Sequence, residues 1–207
     1  MMKNLSLDPF PTLETARLNL RELTPDDAGP MYRLRSSREV MRLIDRPLCQ
    51  SLEDAQQLVG TILEKQSLGE AIMWAISLGD DPAMIGCIGY FRTQTEHGRT
   101  EVGYLLDPNY HRLGYMSEAL NCVVEFGFAR MEFHKITASV HANNDASILL
   151  LEKNGFVREA LFRQHYFWNG HFIDTVEMAS YSPAAVLAMK ASGIQPVDDV
   201  HRTPGQR

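Results

Sequence analysis

Residues 105–119, LLDPNYHRLGYMSEA, carry a strand into a helix across a single glycine, Gly114. Upstream lies TEVGYLL (100–106), a strand-like run. Downstream, from Ser117, residues Ala119, Leu120, Val123, Val124 and Phe128 fall on one helical face. Such a junction presents backbone N–H groups that have no partner in the helix, together with the positive end of the helix dipole, and so suits a pyrophosphate. An ordinary strand-to-helix turn, needing Gly114 only for its backbone angles, fits the same residues.

Working outward, KITASVH (135–141) returns as a strand. Strand, helix and strand in that order predict a crossover with parallel pairing. Residues 144–154 read as a short helix stopped by Gly155. VREALFRQHYFW and HFIDTVEMASY then flank Asn169-Gly170, the strongest short hairpin signal. Toward the N-terminus, AIMWAISL (71–78) and MIGCIGYF (84–91) join TEVGYLL as an antiparallel meander. ARLNLREL (16–23) alternates as a half-buried first strand. Between these, Thr24-Pro25-Asp26-Asp27 and Ser51-Leu52-Glu53-Asp54 are helix starts, so two or three helices follow the first strand. The expectation is an α+β fold, a mixed sheet with helices on both faces, over residues 1–182. Residues 183–207 are expected to hold a short helix and a loose tail rich in Pro, Gly and charge.

With 207 residues and 44% hydrophobic content, the chain can bury one sizeable core, and one domain is expected. A net charge of -6 argues against sequence-independent nucleic-acid binding, which relies on Lys and Arg neutralising phosphates. Cys49, Cys87 and Cys122 form no C-x-x-C pair, so neither a disulfide framework nor a zinc site is indicated, and His165 and His171 stand too far from other ligand types to suggest a metal. No run approaches the roughly 18 apolar residues of a membrane span, and MMKNLSLDPFPTLE lacks a signal-peptide core. A cytoplasmic protein with no metal and no membrane partner is expected.

A second polar helix start, His141 to Phe156 (HANNDASILLLEKNGF), places Asn144 as a cap and Ser147 one turn inside. Alone it is an ordinary helix N-terminus. The ordered set LETARLNLREL, EVGYLLDPNYHRLGYMSEAL, NNDASILLLEKNGF and NGHFID resembles the GNAT acetyltransferases, and more narrowly their RimJ/RimL-type branch, over about residues 12–181. The resemblance implies a seven-stranded, mostly antiparallel sheet splayed between its fourth and fifth strands. The pantetheine arm of acetyl-CoA would lie in the gap against the backbone of Tyr104, Leu105 and Leu106. The family's phosphate loop, Gln/Arg-x-x-Gly-x-Gly/Ala, corresponds here to His111, Arg112, Leu113, Gly114, Tyr115 and Met116, followed by Ser117. His111 replaces the usual Gln or Arg, and Met116 replaces a small residue. Asn144, Ser147 and Lys153 complete the implied cosubstrate contacts.

Amine acetylation needs a neutral nucleophile, and an α-amine with a reference pKa near about 8 is mostly protonated at neutral pH. The resemblance makes Glu101, in the E-[IV]-G-Y pattern, the base, acting through water. It also implies a proton donor for the departing thiolate. Many members have Tyr just before Glu-Lys-x-Gly-Phe, where this chain has Leu151, so Ser147 is the substitute. Trp74, Glu101, Glu159, His165, Tyr166 and Asp174 are candidates to line the acceptor pocket. The implied activity is direct transfer from acetyl-CoA to an amine in a ternary complex, on a protein N-terminus first and on a small amine such as a polyamine, amino sugar or amino acid second. A non-catalytic acyl-CoA-binding protein is the reading from another class. Self-association as a homodimer stays open.

Overall fold

The computed structural model describes residues 8–193. Its sheet has eight strands in the order β1-β2-β3-β4-β5-β6-β8-β7. One more strand is present than the sequence suggests. The addition is β1 (Leu13–Glu14), which pairs antiparallel with β2 (Leu18–Glu22) through Leu13 and Leu20. Two residues are too few for a period-2 pattern to register.

After β2 come α1 (Ala28–Ser36), α2 (Arg38–Met41) and α3 (Leu52–Ser67). The start of α3 is set by a capping box in which Ser51 and Asp54 satisfy each other's backbone N–H groups. Then β3 (Ile72–Leu78), β4 (Gly86–Gln94) and β5 (Arg99–Leu106) form the antiparallel meander. Near its end β4 bulges between Phe91 and Gln94, and Arg92 adopts a φ of 52° there. Helix α4 (Tyr115–Ala129) begins two residues before the apolar pattern does, directly after Gly114. It is followed by β6 (Lys135–His141), α5 (Asp145–Lys153), β7 (Val157–Trp168), β8 (His171–Tyr181) and α6 (Pro183–Ala191). Asn169 and Gly170 both have positive φ, 48° and 86°, as a two-residue hairpin of this hand requires. The tail expected to be loose lies, from residue 194 onward, outside the described residues.

Two apolar layers fix the sheet. On one face Leu20, Ile76, Ile88, Val102 and Ile136 pack with Ala119, Leu120 and Val123 of α4 and Ile148 and Leu151 of α5. On the other, Ala75, Met84 and Cys87 pack with Met31 and Leu34 of α1 and Ala55 and Val59 of α3. Alternate residues of one strand therefore serve different layers, so β5 sends Val102 and Leu106 to the first and Leu105 to the second.

The parallel pair β5–β6 is short. It joins Arg99–Glu101 to Lys135–Thr137 and no further. Past Glu101, β5 stays paired with β4 alone, through Gly86–Tyr90, while β6 continues along β8. The sheet thus opens between β5 and β6, and the backbone of Val102–Leu106 faces the gap.

Candidate active site

At the far end of the gap β5 runs into the turn that leads to α4. Asp107 accepts a hydrogen bond from the Asn109 N–H at 2.9 Å and starts a single 3-10 turn at Pro108–Tyr110. Arg112 (φ 61°) and Gly114 (φ 84°) then reverse the chain into the helix. The first bond to the helix interior is from the Glu118 N–H to the Gly114 carbonyl, 3.0 Å. The amides of Tyr115, Met116 and Ser117 precede it and are left open at the helix end.

The two departures from the family loop have physical answers here. Met116 is buried, with 7% exposure, in the layer between α4 and the sheet, so its bulk lies away from the amides. The His111 ring turns back, its Nε2 lying 3.0 Å from the Leu106 carbonyl. Ser117 Oγ donates to Asn154 Oδ1 at 2.9 Å, which joins this turn to the end of α5.

Sequence reasoning missed the clasp on the opposite side. Arg17 donates to the Leu113 carbonyl at 2.9 Å and to Glu118 Oε2 at 2.7 Å, and its guanidinium lies 4.5 Å from the centre of the Tyr115 ring. The Arg17 N–H also donates to Glu118, and so does the Thr15 hydroxyl. The start of β2 is thereby stapled to the first turn of α4. Hydrogen bonds from Arg17 and Thr15 hold the Glu118 carboxyl below its ordinary range, although desolvation opposes them. LETARL gives no local sign of this clasp, because its partners lie about a hundred residues along the chain.

Within the gap the structure brings together residues from three elements. Tyr104 of β5 and Ser147 of α5 meet with their hydroxyl oxygens 2.7 Å apart. The Asn144 side chain accepts from the Ser147 N–H at 3.2 Å and caps α5. Burial pushes the Tyr104 phenol up to about 12, against a smaller opposing effect of the Ser147 hydrogen bond. Glu101, three residues earlier, points to the other face of the sheet and accepts from Arg92 Nη1 at 2.9 Å. Burial raises the Glu101 carboxyl above its usual range, and Arg92 opposes that rise without cancelling it. The bulge at Arg92 is the second feature the sequence did not show. It is a non-glycine residue at positive φ, and it delivers a guanidinium to the candidate base.

Two hollows adjoin this ion pair. One, of about 780 Å³, is lined by Arg46, Lys65, Glu70, Phe91, Arg92 and Thr93 among others. The second, of about 350 Å³, has Glu101, Glu159, Glu177, Arg92, Arg99 and Lys135 in its walls. Arg92 belongs to both.

Several expected lining residues lie elsewhere. Trp74 is fully buried (0% exposure), edge-on to Tyr90 and Phe126, with its indole N–H donating to the Pro11 carbonyl at 2.7 Å. It is a core residue, because position 74 faces the α4 layer. Asp174 accepts from the Gln164 N–H at 2.7 Å and holds a bulge of β7. The His165 ring stacks between Phe162 and Tyr166, at 4.8 Å and 4.2 Å. Glu159 sits in the smaller hollow but is engaged by Lys135 and by the Tyr181 hydroxyl. Tyr166 stands beside Arg92, whose guanidinium is held above its ordinary range chiefly by Glu101 and to a lesser degree by Tyr166. Lys153 is exposed at the end of α5. Among the described residues no three His, Cys, Asp or Glu side chains are arranged to hold a metal ion, and no helix is long and apolar enough to cross a membrane.

An interrupted parallel strand pair beside a glycine-led helix N-terminus is the arrangement that the resemblance to the GNAT acyltransferases implies. Comparison with known proteins gives it a family. Residues 17–157 match the acetyltransferase (GNAT) domain, and the chain belongs to the GNAT family of acyltransferases. It is 36% identical over 166 residues to the uncharacterised N-acetyltransferase YoaA of Bacillus subtilis, covering 80% of this chain and 94% of that one. It is 25% identical over 160 residues to the ribosomal-protein-serine acetyltransferase of Escherichia coli, with 76% and 88% covered, in keeping with a RimJ/RimL-like branch. The spermidine N-acetyltransferase of Vibrio cholerae, solved with CoA and spermine, shares the fold with a TM-score of 0.74 at 20% identity, over 83% of this chain and 99% of that one.

Proposed function

We propose that this enzyme transfers the acetyl group of acetyl-CoA to the α-amine at the N-terminus of a protein or peptide, in a ternary complex. The observation that carries the reading is the unpaired backbone edge of Val102–Leu106 leading to the open amides of Tyr115–Ser117. An amide-bearing pantetheine arm and a pyrophosphate need those two kinds of group in that order. Acetyl-CoA supplies the activated acyl group as a thioester.

The chain's own residues do the rest. Tyr104–Leu106 and His111–Ser117 bind the donor, with Asn144 and Lys153 at the α5 side. Glu101, raised by burial toward the operating pH, takes the amine proton directly or through one water. Ser147, held at the mouth of α5 by the Asn144 cap, faces the departing sulfur. Arg92 fixes the orientation of the Glu101 carboxylate. Tyr166, beside Arg92, borders the acceptor.

The charges of the larger hollow, which meets Glu101 through Arg92, favour a peptide over a polyamine. The larger hollow carries Arg46, Lys65 and Arg92 against one carboxylate, Glu70. A polyamine entering there meets like charge, whereas an extended peptide can place neutral or acidic residues along it. A small-amine acceptor is the second reading, supported by Glu101, Glu159 and Glu177 together in the smaller hollow.

Thiol release from acetyl-CoA, measured with peptides beginning in Ser, Ala or Met beside spermidine and aminoglycosides, tests the choice. Turnover with peptides, abolished in Glu101→Gln, supports the proposal. Turnover confined to small amines establishes the second reading. Binding of acetyl-CoA with no release for any acceptor points to a non-catalytic binder.

A further inference from the structure

We infer that Tyr104 is a positioning residue for the acid side of the reaction, donating its only hydroxyl proton to Ser147 Oγ so that the serine's own proton is aimed at the leaving sulfur. The inference rests on the acetyltransferase reading above and extends it to a side chain to which that reading gives no role.

The direction of the bond follows from an accounting of protons. A phenol has one O–H and a serine hydroxyl one O–H, each with lone pairs to accept. The 2.7 Å contact by itself leaves the donor open. The surroundings of Tyr104 favour one direction. Its side chain is half-buried, packed against the core that α4 and α5 share with the sheet, and among the described residues Ser147 Oγ is the one hydrogen-bond partner of its hydroxyl. If Ser147 donated instead, the phenolic O–H would have no acceptor among the described residues, and a donor orphaned on burial costs about 1–3 kcal/mol. Tyr104 therefore donates, and Ser147 Oγ accepts.

The consequence falls on the serine. One lone pair of Oγ is used, and the hydroxyl proton is turned away from Tyr104. No carbonyl or carboxylate among the described residues accepts it, although Ser147 sits in a helix, where such hydroxyls commonly bond back to the preceding turn. With no such acceptor, the proton is free to point into the gap between β5 and β6. A serine hydroxyl free to rotate spends part of its time in other wells, so a second hydroxyl that fixes it acts before the reaction begins.

The proton balance assigns Tyr104 this role and not that of the acid itself. In the transfer the amine nitrogen bonds the acetyl carbon, the carbon–sulfur bond breaks, and the electron pair goes to sulfur. The amine proton leaves toward Glu101, and the sulfur is stabilised by the Ser147 O–H. The free thiol has an ordinary pKa of about 8.5, well below that of a buried phenol, so moving the phenolic proton to sulfur runs uphill. Hydrogen bonding runs with no such cost. The arrangement also accounts for Leu151, which occupies the position where many family members carry a tyrosine. It is 0% exposed in the core against the sheet, and the phenol reaches the gap from β5 instead.

The test is a double-mutant cycle on the full chain, with acetyl-CoA and whichever amine the unsubstituted enzyme acetylates. Tyr104→Phe keeps the ring and its packing and is expected to lower kcat about tenfold, with KM for both substrates and the melting midpoint unchanged. Ser147→Ala is expected to lower kcat by a similar factor, and the double variant by no more than the larger single effect, because both changes remove one aimed proton. Multiplicative losses in the double variant overturn the inference while leaving the acetyltransferase reading intact, and so does a Tyr104→Phe enzyme with unchanged kcat. A drop in melting midpoint that accounts for the lost activity also overturns it, by making Tyr104 merely structural. Absence of transfer by the unsubstituted protein to any amine overturns the underlying reading as well.

Discussion

The two sides of the gap are built by different means. On the proposed donor side, from Val102 to Ser117, the groups on offer are backbone amides and carbonyls, and side chains such as Arg17, Glu118, His111 and Ser117 tie that backbone in place. On the proposed acceptor side the groups are side chains, namely Glu101, Arg92, Tyr166, Glu177 and the cations of the larger hollow. Three strand irregularities border them, the β4 bulge at Arg92 and the β7 bulges near Ala160 and Gln164. A backbone site tolerates substitution as long as the turn is kept, whereas a side-chain site changes specificity with each residue. One fold can thus keep its donor while its relatives act on both ribosomal proteins and spermidine.

The contrast is most sharply tested on the acceptor side. Glu101→Gln keeps the shape and removes the base, and kcat is expected to fall by about a hundredfold to a thousandfold, with acetyl-CoA binding unchanged when measured by calorimetry. Next comes Trp74→Ala, expected to cost about 3–5 kcal/mol in denaturant unfolding, because it empties a fully buried site belonging to neither side. Had Trp74 lined the acceptor pocket, stability would change little and KM for the amine would rise instead.

On the donor side the backbone is the target. Gly114→Val forces a β-branched residue to a φ of 84° and brings a Cβ to 3.3 Å from the Arg17 guanidinium. KM for acetyl-CoA is expected to rise about tenfold while KM for the amine stays the same. The smallest effect is a shift in pH dependence. Burial raises Glu101, so kcat is expected to fall, as pH drops, at a value above the ordinary glutamate range. Arg92 opposes that rise, so Arg92→Met should raise the carboxyl further and move the acidic limb of kcat to higher pH. A limb that moves to lower pH would mean that Arg92 does not act on Glu101 through its charge.

This division also explains what the sequence disclosed. The meander, the crossover, the Asn169-Gly170 hairpin and the turn at Gly114 are local patterns, and each was legible because period, caps and turn residues act over a few positions. The splay was legible only through resemblance, since nothing in TEVGYLL says that pairing with KITASVH stops after three residues. β1 escaped notice by its length. Trp74 was misplaced because a strand aromatic reads the same on either face until the layers are known. Arg17, Glu118 and Arg92 could not be found, because their partners lie 96, 101 and 9 residues away and no local period links them. The pairing of Tyr104 with Ser147 spans 43 residues and was hidden for the same reason, although both residues had been singled out.

The most direct test of the donor site is amide hydrogen exchange, residue by residue, with and without acetyl-CoA. The expected result is new protection along Val102–Leu106 and at Leu113–Ser117, with the amides around Arg46 and Lys65 unchanged. Acetyl-CoA that protects the walls of the larger hollow and leaves residues 102–106 and 113–117 exchanging as before would contradict a donor site built from backbone at the β5–β6 splay.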